Sequence, residues 1–299
     1  MGATAEIGEE TQREGERARI VAALALTLLM WASAFVVIRS VGEHLSPGPL
    51  ALTRIVVGSL VLGLAMLLRS ERVPRGEALL RAVIAGVLWF GAYMLALNAA
   101  ERWVDAGTSS LLVNTGPLFI AGLAGWLLHE GFPRTLLSGC AVSLAGAALI
   151  ALSVSGRGSH ELLGAGLCIV AALAYALAIV VQKPALSVTG ALPITWAACT
   201  AGAIVLLEFV PQSVHELGHA SGGTLLGVLY LGIGPTAVAF LLWAYVLAKT
   251  DAGRLGATTY VVPPLVVVIS WVCLGQVPPV LAIPGGLLCL AGVAIARRR

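Results

Sequence analysis

Charged side chains are scarce in this chain. Asp, Glu, Lys and Arg together make up 11% of its 299 residues, and the mean hydropathy is +0.95. In a soluble domain about a quarter of the residues are charged, so the composition excludes a soluble enzyme and a disordered scaffold. The net charge of +3 is too small to indicate a nucleic-acid partner. By contrast, 59% of the residues are hydrophobic and 35 are glycine, which is typical of a polytopic membrane protein.

The features of a secreted protein are absent as well. The five cysteines fall inside apolar segments without a Cys-x-x-Cys pair, which favours small packing residues over disulfides. A signal peptide begins with a basic segment, whereas residues 1–18 carry five glutamates. We therefore expect residues 1–18 to form a disordered cytoplasmic tail.

Ten apolar segments follow this tail. A membrane helix needs about 20 mostly apolar residues, and the connections between the segments are short. The sequence therefore predicts an all-α membrane protein with ten transmembrane helices. They lie near residues 19–38, 49–68, 78–98, 106–128, 133–153, 161–182, 193–210, 224–246, 253–274 and 279–296.

The basic residues predict the orientation of these helices. Fourteen Lys and Arg residues fall on one side and three on the other, with Arg54 left inside a helix. Cytoplasmic loops are enriched in Lys and Arg. We therefore expect a multi-pass protein of the bacterial inner membrane with both termini in the cytoplasm.

The two halves of the chain repeat each other. A shift of 146 positions places Asp105-Ala106-Gly107 on Asp251-Ala252-Gly253, Pro117 on Pro263 and Pro133 on Pro279. Earlier in each half, a shift of 144 positions places Trp31 on Tyr175, Arg39 on Lys183 and Pro49 on Pro193. We expect repeats at residues 19–153 and 154–299. Each holds five helices, an odd number, so the second must enter the membrane from the opposite side. Inverted repeats are typical of secondary transporters, which bind their substrate near the membrane midplane.

These residues resemble the drug/metabolite transporter superfamily, specifically its bacterial EamA-type branch with two five-helix domains. The matching positions, within residues 19–296, are Trp31-x-Ser33-x-Phe35, Pro49, Arg54, Pro117, Glu130, Gly139 and Gly146, then Pro193, Pro263, Gly285 and Gly292. The resemblance implies export or exchange of small metabolites such as amino acids by alternating access, without ATP hydrolysis or a cofactor. The chain departs from the family pattern at Gln276, where a glutamate is usual, and at Ala198, which aligns with Arg54.

Arg54 is the first candidate for substrate binding. An arginine inside a membrane helix must face a cavity or a partner, because isolating it in lipid costs several kcal/mol. It could bind a substrate carboxylate through two hydrogen bonds, or it could be structural and reach the interface.

Asn114 and Tyr260 are aligned by the 146-residue shift, and each is followed three residues later by a proline, Pro117 or Pro263. Proline removes a backbone donor and frees a carbonyl group one turn earlier, which must then be satisfied by protein or cavity water. A pair of such helices predicts a binding site, although ordinary helix–helix hydrogen bonding is the alternative.

Aromatic residues inside the predicted helices complete the candidate site. Trp31 and Tyr175 are favoured because they are repeat equivalents, and Ser33 places a hydroxyl group near Trp31; Tyr93 and Trp243 are further candidates. Such rings could stack on a substrate, or they could pack in the core or at the interface.

One motif favours a different class of protein. His215-Glu216-Leu217-Gly218-His219 matches the H-E-x-x-H pattern of zinc metalloproteases and resembles the first motif of intramembrane site-2 proteases. The motif lies in a short loop, no third ligand is apparent, and a protease would not explain the repeat. We therefore expect neither a metal site nor a catalytic residue.

Rows of small residues occur on the fifth and tenth predicted helices, at Gly139, Ser143 and Ala147 and at Gly285 and Cys289. Small rows allow helix backbones to approach closely. They could pack within the chain or form a homodimer contact. The remaining partners expected are a small-molecule substrate and the lipid bilayer.

Overall fold

The computed structural model describes residues 2–104, 106–154, 161–274 and 282–296, and all regular secondary structure in these ranges is helical. The α-helices are α1 (Gly2–Val41), α2 (Pro47–Leu68), α3 (Gly76–Gly86), α4 (Met94–Ala100), α5 (Ala106–Val113), α6 (Gly116–Leu127), α7 (Arg134–Val154), α8 (Glu161–Thr189), α9 (Ala191–Val205), α10 (Val210–Gly218), α11 (Gly222–Leu231), α12 (Ala239–Leu247), α13 (Ala252–Ala257), α14 (Val262–Leu274) and α15 (Ala282–Ala296). Two π-helical segments, Val87–Tyr93 and Gly232–Val238, join α3 to α4 and α11 to α12.

Every one of the ten predicted spans contains helix in the described ranges. By length and apolar composition, six helices of the described residues could cross a membrane. The number is seven if Ala191–Val205 and Leu207–Gly218, which meet at 53°, count as one span. The all-α polytopic architecture is therefore confirmed, whereas the count of ten stays a prediction.

The outward faces of the helices are apolar. On α2, Ile55 and Leu62 are buried, while Leu60, Leu64 and Leu67 on the other face are 57–78% exposed. A water-soluble surface does not expose large apolar patches of this kind. The exposed face of α2 is therefore suited to lipid.

The amino-terminal segment differs from the expected disordered tail, because α1 begins at Gly2 and runs without a break into the first apolar span. Glu, Arg and Ala have high helix propensity, and a helix that extends an existing one needs no new nucleus. Residues 14–19 are exposed along this extension.

The small-residue rows pack two helices of the same chain together. A Cβ atom added to Gly146 on α7 would lie 2.5 Å from the Gly285 carbonyl oxygen, so the helix backbones are in contact. The Ser143 hydroxyl donates a hydrogen bond of 3.1 Å to the Cys289 carbonyl oxygen. The structure therefore supports the interpretation that these rows pack within the chain, with α7 against α15.

Candidate functional site

A central cavity lies where the two halves of the chain meet. Its lining comes from both halves: Trp31, Ala34, Phe35, Ile38, Arg54, Trp89, Tyr93, Met94, Leu97, Val113, Asn114, Tyr175, Phe240, Thr259 and Val262. Its volume is about 60 Å³, room for about four to six water molecules. In this state an organic ligand would need the walls to separate.

Part of the lining follows the repeat. Trp31 and Tyr175, aligned by the 144-residue shift, both line the cavity, and so do Val113 and Thr259, aligned by the 146-residue shift. Pro117 and Pro263 have no N–H group, so the carbonyl groups of Val113 and Thr259 lack the donor that a regular helix would provide. The two proline-modified helices thus bring equivalent backbone positions to one cavity. Of the residues predicted on these helices, Asn114 lines the cavity and Tyr260 does not.

Arg54 is the cation that lines this cavity. The residue is 2% exposed, and its Nε–H donates a hydrogen bond of 3.2 Å to the Thr236 hydroxyl oxygen in the second π-helical segment. Gly58 and Gly232 let α2 and this segment approach, since a Cβ atom at Gly232 would meet the Arg54 carbonyl oxygen at 2.9 Å. Thr236 therefore fixes the guanidinium from one side, and Arg54 lines the cavity.

One end of the helix bundle carries Arg17, Lys183, Lys249 and Arg254, and we call it the basic end. Aromatic rings form the wall of the cavity nearest this end. The ring centroids of Trp31 and Trp243 are 4.8 Å apart, and those of Trp89 and Phe240 are 4.7 Å apart. On α1, Trp31 lies nearer the basic end than the lining residue Ile38. These rings thus form the side of the cavity nearest the basic end. At the opposite end Ile38 also lines a polar vestibule of about 310 Å³, together with residues such as Arg39, Glu43, Asn98, Glu101 and Arg102.

The structure brings five of the eight predicted site residues to the cavity: Trp31, Arg54, Tyr93, Asn114 and Tyr175. The other three, Ser33, Trp243 and Tyr260, do not line the cavity. Ser33 contacts the Tyr230 hydroxyl at 2.5 Å, Trp243 packs behind Trp31, and Tyr260 is buried among α7 and α15 residues such as Cys140 and Val293.

Two buried polar residues near the site were missed by sequence reasoning. Thr236 is fully buried against Arg54, and Glu101 is 4% exposed in the vestibule at the opposite end. Glu101 is close enough to Arg54 for their charges to interact. The sequence offered one signal for Thr236. The adjacent Pro235 lies in the second π-helical segment, and π-helical irregularities often mark functional sites. Glu101 falls just past an apolar run and reads as a loop residue.

At the basic end, Glu130 joins three segments of the chain. Its carboxylate forms an ion pair with Lys183 and accepts hydrogen bonds from the backbone N–H groups of Ala252 (3.0 Å) and Gly253 (3.1 Å) at the start of α13. Lys183 also donates to the Thr250 carbonyl oxygen at 2.8 Å. The Glu130–Lys183 pair therefore connects the end of α6 to α8 and to the start of α13.

The opposite end carries the repeat equivalent of this contact. Arg39, which aligns with Lys183, donates to the carbonyl oxygens of Glu101 (2.9 Å) and Val104 (3.4 Å), and Val104 aligns with Thr250. The residue that aligns with Glu130 is Gln276, which lies outside the described residues. The two halves therefore differ at this position: the first half has the carboxylate of Glu130, and the second half has the neutral amide of Gln276.

We expect Glu130→Gln to open the basic end more often. Removing one charge from a mostly buried pair costs the closed state about 1–2 kcal/mol, which corresponds to about a five- to thirtyfold change in population. The measurement is the rate at which a membrane-impermeant maleimide, added on the side of the basic end, labels Ala34→Cys, a cavity residue. Glu77→Gln, which breaks the exposed Glu77–Arg81 pair, serves as the control, and equal rates in the two variants would contradict a closing role for Glu130.

The H-E-x-x-H motif lies on α10 and its C-cap, not in the short loop expected from the sequence. Glu216 on α10 accepts hydrogen bonds from the Ser46 N–H (2.7 Å) at the start of α2 and from Gln212 (2.8 Å). Partial burial raises the pKa of Glu216, but these hydrogen bonds outweigh it and leave the pKa below its ordinary value. No group of three or more His, Cys, Asp or Glu residues that could hold a metal ion occurs among the described residues. Glu216 thus attaches α10 to α2.

The fold, the repeat and a cavity between the halves define a membrane transport protein. The model of the EamA-like transporter family matches residues 18–152 and again residues 162–298. The chain therefore belongs to the EamA-like transporter family, with two copies of its domain, as the sequence resemblance predicts.

Named relatives agree with this assignment. The chain is 35% identical to a "Probable terminal-alkyne amino-acid exporter" of Streptantibioticus cattleyicolor, covering 94% of each chain. It is 33% identical to the "Uncharacterized transporter YdfC" of Bacillus subtilis, covering 92% of this chain and 90% of that one. It is 24% identical to a "Probable amino-acid metabolite efflux pump" of Salmonella typhimurium, covering 90% and 92%. These relatives and the family support a small-metabolite exporter.

One solved structure, titled "Crystal structure of protein", has the same fold. It superposes with a TM-score of 0.75 at 20% identity and covers 94% of this chain and 96% of its own. At this identity the likeness concerns the fold alone.

Proposed function

We propose that this protein exports amino acids with apolar side chains by alternating access. The observation that carries the proposal is a buried arginine that lines a mostly apolar and aromatic cavity. A guanidinium binds a carboxylate through two charge-assisted hydrogen bonds, and the surrounding rings favour an apolar side chain. Two relatives bear names that mention amino acids.

The mechanism uses the two ends of the cavity in turn. In one state of the proposed cycle, the aromatic wall and the Glu130–Lys183 pair close the basic end. Ile38, which lines both the cavity and the vestibule, lies toward the other end. The mirror state would break the Glu130–Lys183 pair and tighten the contacts of Arg39. Inverted repeats supply this exchange, because each half can adopt the conformation of the other.

The distribution of basic residues supports an orientation in the bacterial inner membrane with both termini and the basic end in the cytoplasm. Substrate would then enter from the basic end and leave through the vestibule. A homodimer is not needed for this mechanism, since the cavity forms within one chain and the small-residue rows are used inside it. Catalytic residues have no place in it either.

Uptake into proteoliposomes tests the proposal. We expect radiolabelled L-norleucine, L-phenylalanine and L-valine to exchange against the same amino acid inside, and L-glutamate and L-lysine to exchange much more slowly because the walls would have to bury a second charge. The assay is run with and without a pH gradient, which reports coupling to protons. Failure of all neutral amino acids to move would overturn the proposal.

A further inference from the structure

The break between α5 and α6 fixes the direction of the Asn114 amide. Its Nδ2 donates a hydrogen bond of 2.6 Å to the Ser110 carbonyl oxygen. A carbonyl oxygen can only accept, so the NH₂ group must face Ser110 and Oδ1 must face away. Oδ1 has no hydrogen-bond partner among the described residues, and Asn114 is 3% exposed. A buried acceptor without a partner is costly, and here it belongs to a residue that lines the cavity.

A second acceptor lies beside it. Val113 precedes Asn114 and also lines the cavity, and its carbonyl group lacks its regular donor because residue 117 is proline. Two acceptors at one interrupted helix are the arrangement with which transporters bind cations near the membrane midplane. None of the described lining residues carries a carboxylate, so a positive group in this cavity would be bound by neutral oxygen atoms.

Arg54 and Asn114 line the cavity, but the residues that align with them in the other half do not. The lining pairs Trp31 with Tyr175 and Val113 with Thr259 across the two halves. Arg54 has no such counterpart, since it aligns with Ala198, and the residue that aligns with Asn114, Tyr260, packs away from the cavity. The first half thus contributes both the cation of the lining and the unpartnered Asn114 Oδ1. That asymmetry fits a ligand with two different polar groups.

We propose that Asn114 Oδ1, with the Val113 carbonyl oxygen, accepts the hydrogen bonds of the substrate α-ammonium group while Arg54 binds the carboxylate. The proposal rests on the function proposed above and makes Asn114 the residue that distinguishes amino acids from the corresponding keto acids. A keto acid would satisfy Arg54 but would leave Oδ1 unpaired, because its carbonyl group donates nothing. A hydroxy acid offers one neutral donor and should lie between them.

The test compares three ligands that differ only at the α-carbon: L-norleucine, 2-hydroxyhexanoate and 2-oxohexanoate, with L-phenylalanine and its two analogues as a second set. We measure uptake, and inhibition of L-norleucine uptake, in proteoliposomes. A hydrogen bond to a charged group corresponds to about tenfold or more in affinity, so the wild type should prefer the amino acid over the keto acid by at least about tenfold. Asn114→Leu and Asn114→Ala should reduce this ratio to near one and leave keto-acid binding at the wild-type level or above it.

Ratios measured within one sample do not depend on how much protein is folded. Thr115→Val is the matched control, because it removes a neighbouring hydroxyl that bonds the Leu112 carbonyl oxygen and does not line the cavity; its ratio should equal that of the wild type. Equal binding of amino and keto acids by the wild type, or an equal loss of all three ligands in both Asn114 variants, would overturn the assignment. If the wild type binds and transports none of the six compounds, the proposed function fails with it.

Discussion

Arg54→Ala should reduce the affinity for amino acids by about tenfold to a hundredfold, the range expected for losing hydrogen bonds between charged groups. The reason is geometric as well as electrostatic. Thr236 holds the Nε–H of Arg54, and a guanidinium can bind a carboxylate through two parallel hydrogen bonds. Arg54→Lys should lose most of this affinity too, because an ammonium group cannot form the two parallel bonds. Competition against L-norleucine uptake measures the effect.

A ligand without a carboxylate separates this role from a structural one. Pentylamine keeps the amino group and the aliphatic chain of norleucine, so its binding should change little, or improve, when Arg54 is removed. Thr53→Val, at the neighbouring position, removes a hydroxyl that bonds the Pro49 carbonyl oxygen and lines no part of the cavity; it should behave as the wild type. Normal amino-acid transport by Arg54→Ala would show that the arginine is structural.

Gly146→Leu should cause the largest loss of stability. A Cβ atom at Gly146 would lie 2.5 Å from the Gly285 carbonyl oxygen and 2.6 Å from the Cys289 nitrogen, so backbone atoms, not flexible side chains, would have to move. Overpacking costs about 1–3 kcal/mol and occasionally more, or roughly 2–10 °C in melting temperature for a chain of this size. The melting temperature is measured in detergent by size-exclusion chromatography after heating.

The matched control is Gly122→Leu, where an added Cβ atom meets nothing within 4 Å. Both substitutions replace a poor helix former with a good one, so they differ only in the space available. We expect the control to match or exceed the wild type in melting temperature. Similar losses in both variants would mean that α7 and α15 do not pack as closely as described.

Much of the architecture was predictable because it depends on short-range and repeated features. Apolar segments indicate helices wherever they occur, and the all-α membrane fold follows from them. The alignment of Pro117 with Pro263 located the interrupted helices, since the missing N–H group has the same consequence in any surroundings. The same features led to five of the residues that line the cavity.

The polar partners were less predictable, because each lies far away along the chain. Thr236 is 182 positions from Arg54, and Glu130 is 53 positions from Lys183 and more than 120 from the start of α13. Contacts of this kind depend on how helices cross, which no local pattern encodes. The row of small residues could likewise be recognised in the sequence, but its partner helix could not be chosen.

The sequence by itself determined the membrane environment, the helical class and the two repeats, because burial in lipid and backbone hydrogen bonding act on each segment separately. Only the tertiary structure decided which member of an aligned pair faces the cavity. Asn114 lies at a break between two helices with its amide oriented by Ser110, whereas Tyr260 lies in a 3₁₀ turn, Thr258–Val261, and packs against α7 and α15. The direction of a side chain depends on the rotation of its helix and on the neighbours that fill the space around it.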